Sequence, residues 1–291
     1  MKIKNSIDKL KADILLTVFF FATLVGIVLR TLQMFRYIEP DTGFNTGAGW
    51  LMALIYVIAF GCLAAFCIVS YLSKDTDSQQ PMGIKDKVCG IFTLVFAVAL
   101  VGNWISSFFE FFDSLANDVT NTGFRGFMSS GVITYFVQSV FAFFSAIYFV
   151  VFAFDILRGT VKANKLKLLA LAPVGWASVR LVHRFIRQIS FIKVSDLLLE
   201  LVMLACLVLF FMALAQVVSG VNSTGFEWRI TGYGLSAALV ALIINAARFT
   251  YGIVMGFSTL NENHLFSLVD VSFALFAVVL INTLNKKTKE V

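Results

Sequence analysis

Val140-Phe141-Ala142-Phe143-Phe144-Ser145-Ala146-Ile147-Tyr148-Phe149-Val150-Val151-Phe152-Ala153-Phe154 is the stretch that decides the fold of this chain. No charged side chain occurs between Gly131 and Phe154, and a hydrocarbon core needs roughly 20 such residues in a helix. The run is apolar on nearly every face. A membrane barrel strand would instead alternate apolar and polar residues over about ten positions. Without water to accept their hydrogen bonds, peptide groups in lipid must pair within their own segment, and a helix does this.

Similar runs recur along the chain. Their approximate limits are Ala12–Phe35, Trp50–Leu72, Lys87–Phe109, Gly131–Phe154, Leu166–Arg187, Asp196–Ser219, Ile230–Phe257 and Leu265–Leu284. The expected architecture is therefore all-α, a polytopic transmembrane bundle of about eight spans. The composition agrees: 59% of the 291 residues are hydrophobic and 14% charged, with a mean hydropathy of +0.88. A soluble domain carries about 25% charged residues. The connections are short, so residues 1–291 read as one integral membrane domain with a short cytoplasmic N-terminal tail and a short basic C-terminal tail.

The fifth run is the exception. Leu168–Val179 holds only twelve uncharged residues, too few to cross alone. Arg180, His183, Arg184 and Arg187 follow at helical spacing and share a face. The alternative is seven spans plus one re-entrant or interfacial segment. Lys2, Lys4, Lys9 and Lys11 place the N-terminus in the cytoplasm, and Lys74, Lys85, Lys87, Arg158, Lys162, Lys165 and Lys167 place the second and fourth connections there too, because basic residues are retained on that side. Eight spans bring Lys286, Lys287 and Lys289 inside and leave Lys193 outside; seven reverse both. The lysines abutting the last run favour eight. The expected location is the plasma or inner membrane.

The net charge of +6 follows from those loops and tails, and nothing suggests nucleic acid as a partner. Cys62, Cys67, Cys89 and Cys206 lie in apolar runs without a CxxC, where cysteine packs as a small hydrophobe. His183 and His264 are far apart, so no metal site and no cofactor is expected. No Walker lysine loop, HExxH or GxSxG occurs, so the chain does not read as an enzyme. Arg30, Leu32 and Met34 end the first run where a signal peptidase would need small residues.

Several features could carry function. Thr-Gly-Phe occurs at Thr42–Phe44, Thr122–Phe124 and Thr224–Phe226, which reads as a helix-entry turn or as internal duplication. Glu39, Asp41, Glu110, Asp113 and Asp118 make the outer connections acidic. Gly252 and Gly256 form a GxxxG that would let helices approach closely. Pro173-Val174-Gly175-Trp176 would kink the fifth helix.

The sharpest signal is charge within the apolar runs. An ionisable group at a helix centre costs roughly 2.5–3.5 kcal/mol on insertion scales, so it faces a partner or a wet cavity. Arg180, Glu200, Arg248 and Asp270 all fall toward one membrane side if adjacent segments run antiparallel, and Asn245 shares a face with Arg248. These five residues form the expected intramembrane polar cluster. They imply a transporter-like or solute-sensing protein with a small solute or ion as partner. The alternative is a non-transporting scaffold or accessory subunit that binds a partner membrane protein in the bilayer.

The run Arg36-Tyr37-Ile38-Glu39-Pro40-Asp41-Thr42-Gly43-Phe44 resembles a motif of uncharacterised multi-pass bacterial membrane proteins. Leu168-Leu169-Ala170-Leu171-Ala172-Pro173-Val174-Gly175-Trp176, followed by Arg180-Leu181, is similar to their later helix. The resemblance covers most of the chain. It implies a bacterial inner membrane location and no assigned activity, and it carries over no catalytic or binding residue.

Overall fold

The structure is a computed structural model. It describes residues 2–37, 47, 49–72, 85–129, 132–160, 166–186, 194–220, 226–256 and 266–290, with the side chains of 2–12, 117–129, 194–196, 226 and 287–290 left aside. Among these residues every regular element is helical. The α-helices are α1 (Lys2–Tyr37), α2 (Gly49–Leu72), α3 (Lys87–Ser129), α4 (Val132–Arg158), α5 (Ala172–Ile186), α6 (Val194–Ser219), α7 (Phe226–Met255) and α8 (Leu268–Glu290), with a 3-10 turn at Leu169–Leu171 before α5.

All except α5 are long and apolar enough to cross a membrane. At about 1.5 Å per residue, the 15 residues of α5 reach about 22 Å, short of the roughly 30 Å of a hydrocarbon core. The chain is an all-α multi-pass membrane bundle of seven such helices and one shorter one. The expected span Leu166–Arg187 is thus a turn followed by a partial helix.

Side-chain contacts set the direction of each helix. Asp86, at the start of α3, accepts a hydrogen bond from Thr283 Oγ1, near the end of α8, at 2.9 Å. Gly90 abuts Leu157, near the end of α4. At the other end of α4, Thr134 meets His183, near the end of α5, at 2.5 Å. Glu200, early in α6, pairs with Arg184 of α5 and with Arg248, late in α7. Tyr71 of α2 packs on Trp228 at the start of α7. Gly26 of α1 abuts Ile243 of α7, and two turns further along both helices Phe35 rests on Tyr251.

Odd-numbered helices therefore run one way and even-numbered helices the other, with α5 in its alternating place. The start of α1 and the end of α8 share one face of the bundle, the near face. The end of α5 lies at the far face. Directionally the chain behaves as eight passes, although α5 falls short of one.

The deficit lies on the near side of α5. Trp176, in its second turn, packs on Phe96 and Phe211, which lie about two and a half turns from the near-face ends of α3 and α6. The helix thus begins inside the layer, short of the near face. Pro173 sits in its first turn, where a missing N–H costs nothing, so the anticipated kink is instead a helix start.

The core at this depth is aromatic. Phe96 stacks on Phe276 at 5.6 Å and on Phe211 at 6.1 Å, and meets Phe149 edge-on at 4.8 Å. Pairs of this kind contribute about 0.5–1.5 kcal/mol beyond the area they bury. Between lipid-like surfaces, where burial alone drives no association, such packing and polar contacts hold helices together. α7 is the most buried span and α2 the least.

Two further expectations change. The third helix does not stop near Phe109 but continues to Ser129. Its second string, Thr122–Phe124, is therefore helical and not an entry turn, while Thr42–Phe44, Thr224 and Gly225 lie outside the described residues, as do Glu39 and Asp41. Glu110 and Asp113 are exposed on α3. Gly256 has φ +93° and donates its N–H to Gly252 O at 3.0 Å. It terminates α7, as glycine does at a left-handed C′ position.

Candidate functional site

Of the four ionisable residues singled out in the sequence, Glu200, Arg248 and Asp270 are buried and Arg180 is largely so, and they sort into two linked groups on the far side of mid-depth. Arg180 of α5 donates two hydrogen bonds to Asp270 of α8, at 2.7 Å to Oδ1 and 3.0 Å to Oδ2. Its guanidinium also lies over the Trp176 ring, 4.9 Å from the centroid. Trp176 in turn donates its Nε1–H to Asn103 Oδ1 of α3 at 2.9 Å. A bidentate guanidinium–carboxylate pair fixes orientation as well as charge, so Arg180 locks α5 to α8 and, through Trp176, to α3.

The second group centres on Glu200 of α6. Its Oε1 accepts from Arg248 of α7 at 2.5 Å, and its Oε2 pairs with Arg184 of α5. One carboxylate thus answers two guanidiniums. Arg30 of α1 lies within electrostatic reach of Arg248 and Glu200. Its guanidinium donates to Gln33 Oε1 at 2.5 Å.

Asn245 links the groups from α7. It donates its amide N–H to Ala241 O at 2.9 Å and accepts the backbone N–H of Ser267 at 2.8 Å. Ser267 is the N-cap of α8: its Oγ lies 3.4 Å from the N–H of Asp270, satisfying one of the donors a helix start leaves over. Asn245 therefore holds the turn that presents Asp270.

The structure brings together Arg180, Glu200, Asn245, Arg248 and Asp270, and the Arg180–Arg184 face of the fifth segment joins them. It adds residues that sequence reasoning passed over: Arg30, Gln33, Asn103 and Ser267. Arg30 and Gln33 had a signal. Leu15, Phe19, Thr23, Gly26, Arg30, Gln33 and Met34 recur at three- and four-residue steps, and all are buried. A charged residue on the buried stripe of a membrane helix must face protein. Asn103 and Ser267 had none, because nothing local marks an amide or a serine as a second partner.

Exposure is graded across the site. The Asp270, Arg248 and Glu200 side chains are 6–8% exposed, whereas Arg180 is 15% and Arg184 22% exposed. The accessible edge is thus made of guanidinium from the short helix.

Fold and site together define a multi-pass α-helical membrane protein with a buried charged network in one half of its bundle. No family model matches the chain, and neither does any curated protein or solved structure.

Proposed function

We propose that this protein recognises a small polar solute within the membrane, as a transporter-like or solute-sensing protein, and that the network of Arg180, Arg184, Glu200, Arg248, Asp270 and Asn245 is its site. The observation that carries this reading is the placement of Arg180 and Arg184 on a helix too short to cross the layer, with Glu200 and Asp270 paired against it. An unusually short helix within the layer, with polar groups gathered beside it, is one arrangement with which transporters handle solutes. A network serving only to fasten helices could be built from neutral hydrogen bonds at lower desolvation cost.

In this reading both chain termini are cytoplasmic. Lys85, Arg158 and Lys286 lie at the near-face ends of their helices, and the bias of basic residues toward the cytoplasm supports that orientation. The network then opens toward the outer half of a plasma or inner membrane.

The test uses the full chain in lipid nanodiscs, challenged with amino acids, carboxylates, phosphate, sugars, amines and inorganic cations while thermal unfolding is followed. At least one class raises the melting temperature of the wild type and fails to do so in Arg248→Leu, which still inserts. If no class acts and Arg248→Leu instead loses abundance or releases a copurifying membrane protein, the chain is a scaffold and the proposal fails.

A further inference from the structure

We infer that the crease between α3 and α4 at the near face binds an anionic phospholipid of the adjoining leaflet. Lys85, Lys87 and Arg158 hold its phosphate, and its chains lie along the outer side of both helices. The inference is independent of the solute site, which lies toward the far face.

The local turns bring these cations together. Gly159, just past the end of α4, has a left-handed φ of +70°, and Thr160 donates its N–H to Asp155 O at 3.0 Å, the six-to-one bond of a Schellman turn. With no side chain at Gly159, Lys85 lies against it: Lys85 Cδ and Cβ come within 3.2 and 3.3 Å of where a Cβ would stand. Lys85 thus meets the end of α4 beside Arg158. Gly90 on Leu157 fastens the two helices just inside this contact. Lys87 opens α3, and all three cations are exposed.

Among the described residues no carboxylate pairs with Lys85, Lys87 or Arg158. Asp86, between the two lysines in sequence, faces other partners. It accepts the Val88 N–H and Thr283 Oγ1, each at 2.9 Å, and Lys286 stands near it. The crease therefore carries a net positive rim.

The surface just inside the layer is apolar and open. Lys87, Ile91 and Val98 recur at helical spacing on α3, and Ile91 and Val98 are 56% and 64% exposed. On α4, Phe154 lies one turn in from Arg158 and is 45% exposed. The Arg158 guanidinium rests over the Phe154 ring, 5.6 Å from its centroid, so its stem follows apolar surface while its head stays at the boundary. Lipid chains cover such faces in any bundle; the basic rim directly above this one selects the head group. Basic pockets between membrane helices hold anionic head groups in this way. A phosphodiester accepts two bonds from a guanidinium fork and is attracted by each ammonium. A zwitterionic head brings a quaternary ammonium to the same cations, and free phosphate lacks the chains.

The experiment uses the full chain in detergent micelles with equal parts of phosphatidylcholine and phosphatidylglycerol, and native mass spectrometry counts the lipids that stay bound. Phosphatidylglycerol is retained in preference to phosphatidylcholine. Lys87→Gln and Arg158→Gln each weaken its retention about fivefold, the effect of one basic residue near an anionic surface. Lys167→Gln removes an exposed near-face lysine from the segment leading into α5 and leaves retention unchanged. All three sites are exposed, so the variants keep the helix content of wild type. Equal retention of the two lipids overturns the inference. So does a loss with Lys167→Gln as large as that with Arg158→Gln, which shows a diffuse attraction of all near-face cations. Displacement of phosphatidylglycerol by millimolar inorganic phosphate also overturns it, since the chains then contribute nothing.

Discussion

Replacing Asp270 by asparagine tests the energetics of the network most directly. The substitution keeps the shape of the side chain and removes one charge. Arg180 then loses one of two charge-assisted bonds, at 2.7 and 3.0 Å, and keeps a neutral one to the asparagine oxygen. Removing one partner of a buried pair costs about 3–5 kcal/mol, most of it from the stranded charge. Arg180 retains two reliefs: its side chain is 15% exposed, and it rests on the Trp176 ring, a contact of about 0.5–2 kcal/mol. The expected loss for Asp270→Asn is therefore about 2–3 kcal/mol.

Arg180→Gln strands the more deeply buried member, Asp270, and should cost more, about 3–5 kcal/mol. In the double variant two neutral amides face each other and no charge is stranded. Its loss should fall below the sum of the single losses by a coupling of about 1–3 kcal/mol. Reversible unfolding in mixed micelles, titrated with a denaturing detergent and followed by tryptophan fluorescence, measures all three. Trp176 lies against Arg180 and reports the site itself. Single variants within about 0.5 kcal/mol of wild type, or losses that simply add, would refute the argument that these charges are held by each other.

Three further outcomes are expected. A cysteine at Lys193 and one in the C-terminal tail should be labelled from opposite sides of the membrane, because α5 takes its alternating place between α4 and α6; labelling from the same side would overturn the eight-pass direction. Gly232→Val should loosen α2 from α7 and cost about 1–3 kcal/mol, since a Cβ at Gly232 already lies 3.3 Å from the Cys67 backbone, and reduced α2–α7 cross-linking would report it. Partial burial pushes the Asp86 carboxyl up, but hydrogen bonds from Thr283 and from the Val88 and Cys89 N–H groups, with Lys286 nearby, outweigh this and hold it below the usual range. A depressed folded value stabilises above the unfolded carboxylate pKa and is lost as pH falls through the folded one; the melting temperature of wild type should fall over that acidic window and that of Asp86→Asn should fall less.

Much of this protein is legible without coordinates. Runs such as Gly131–Phe154 admit only helices, because a backbone in lipid has no other partner for its hydrogen bonds. Antiparallel order then places Arg180, Glu200, Arg248 and Asp270 at one depth, since depth along a span is counted in residues. The helix-period stripe of Arg180, His183 and Arg184 is visible for the same reason.

Azimuth is not visible. Which arginine answers which carboxylate depends on how each helix is rotated and on which helices are neighbours, and those follow from side-chain packing across the bundle. Arg248 and Asp270 lie on adjacent helices, yet each takes its partner elsewhere, from α6 and α5. Nor does hydropathy reveal where α5 begins: Leu166–Val179 is apolar apart from Lys167 and Ser178, and only the seating of Trp176 among Phe96 and Phe211 sets that start inside the layer. Arg30 joined the site through the parallel pairing of α1 with α7, helices far apart in the chain. The sequence by itself determined the helices, their spacing and the depth of their charges, because these are local and one-dimensional; the tertiary structure alone decided the partners, because these depend on lateral packing.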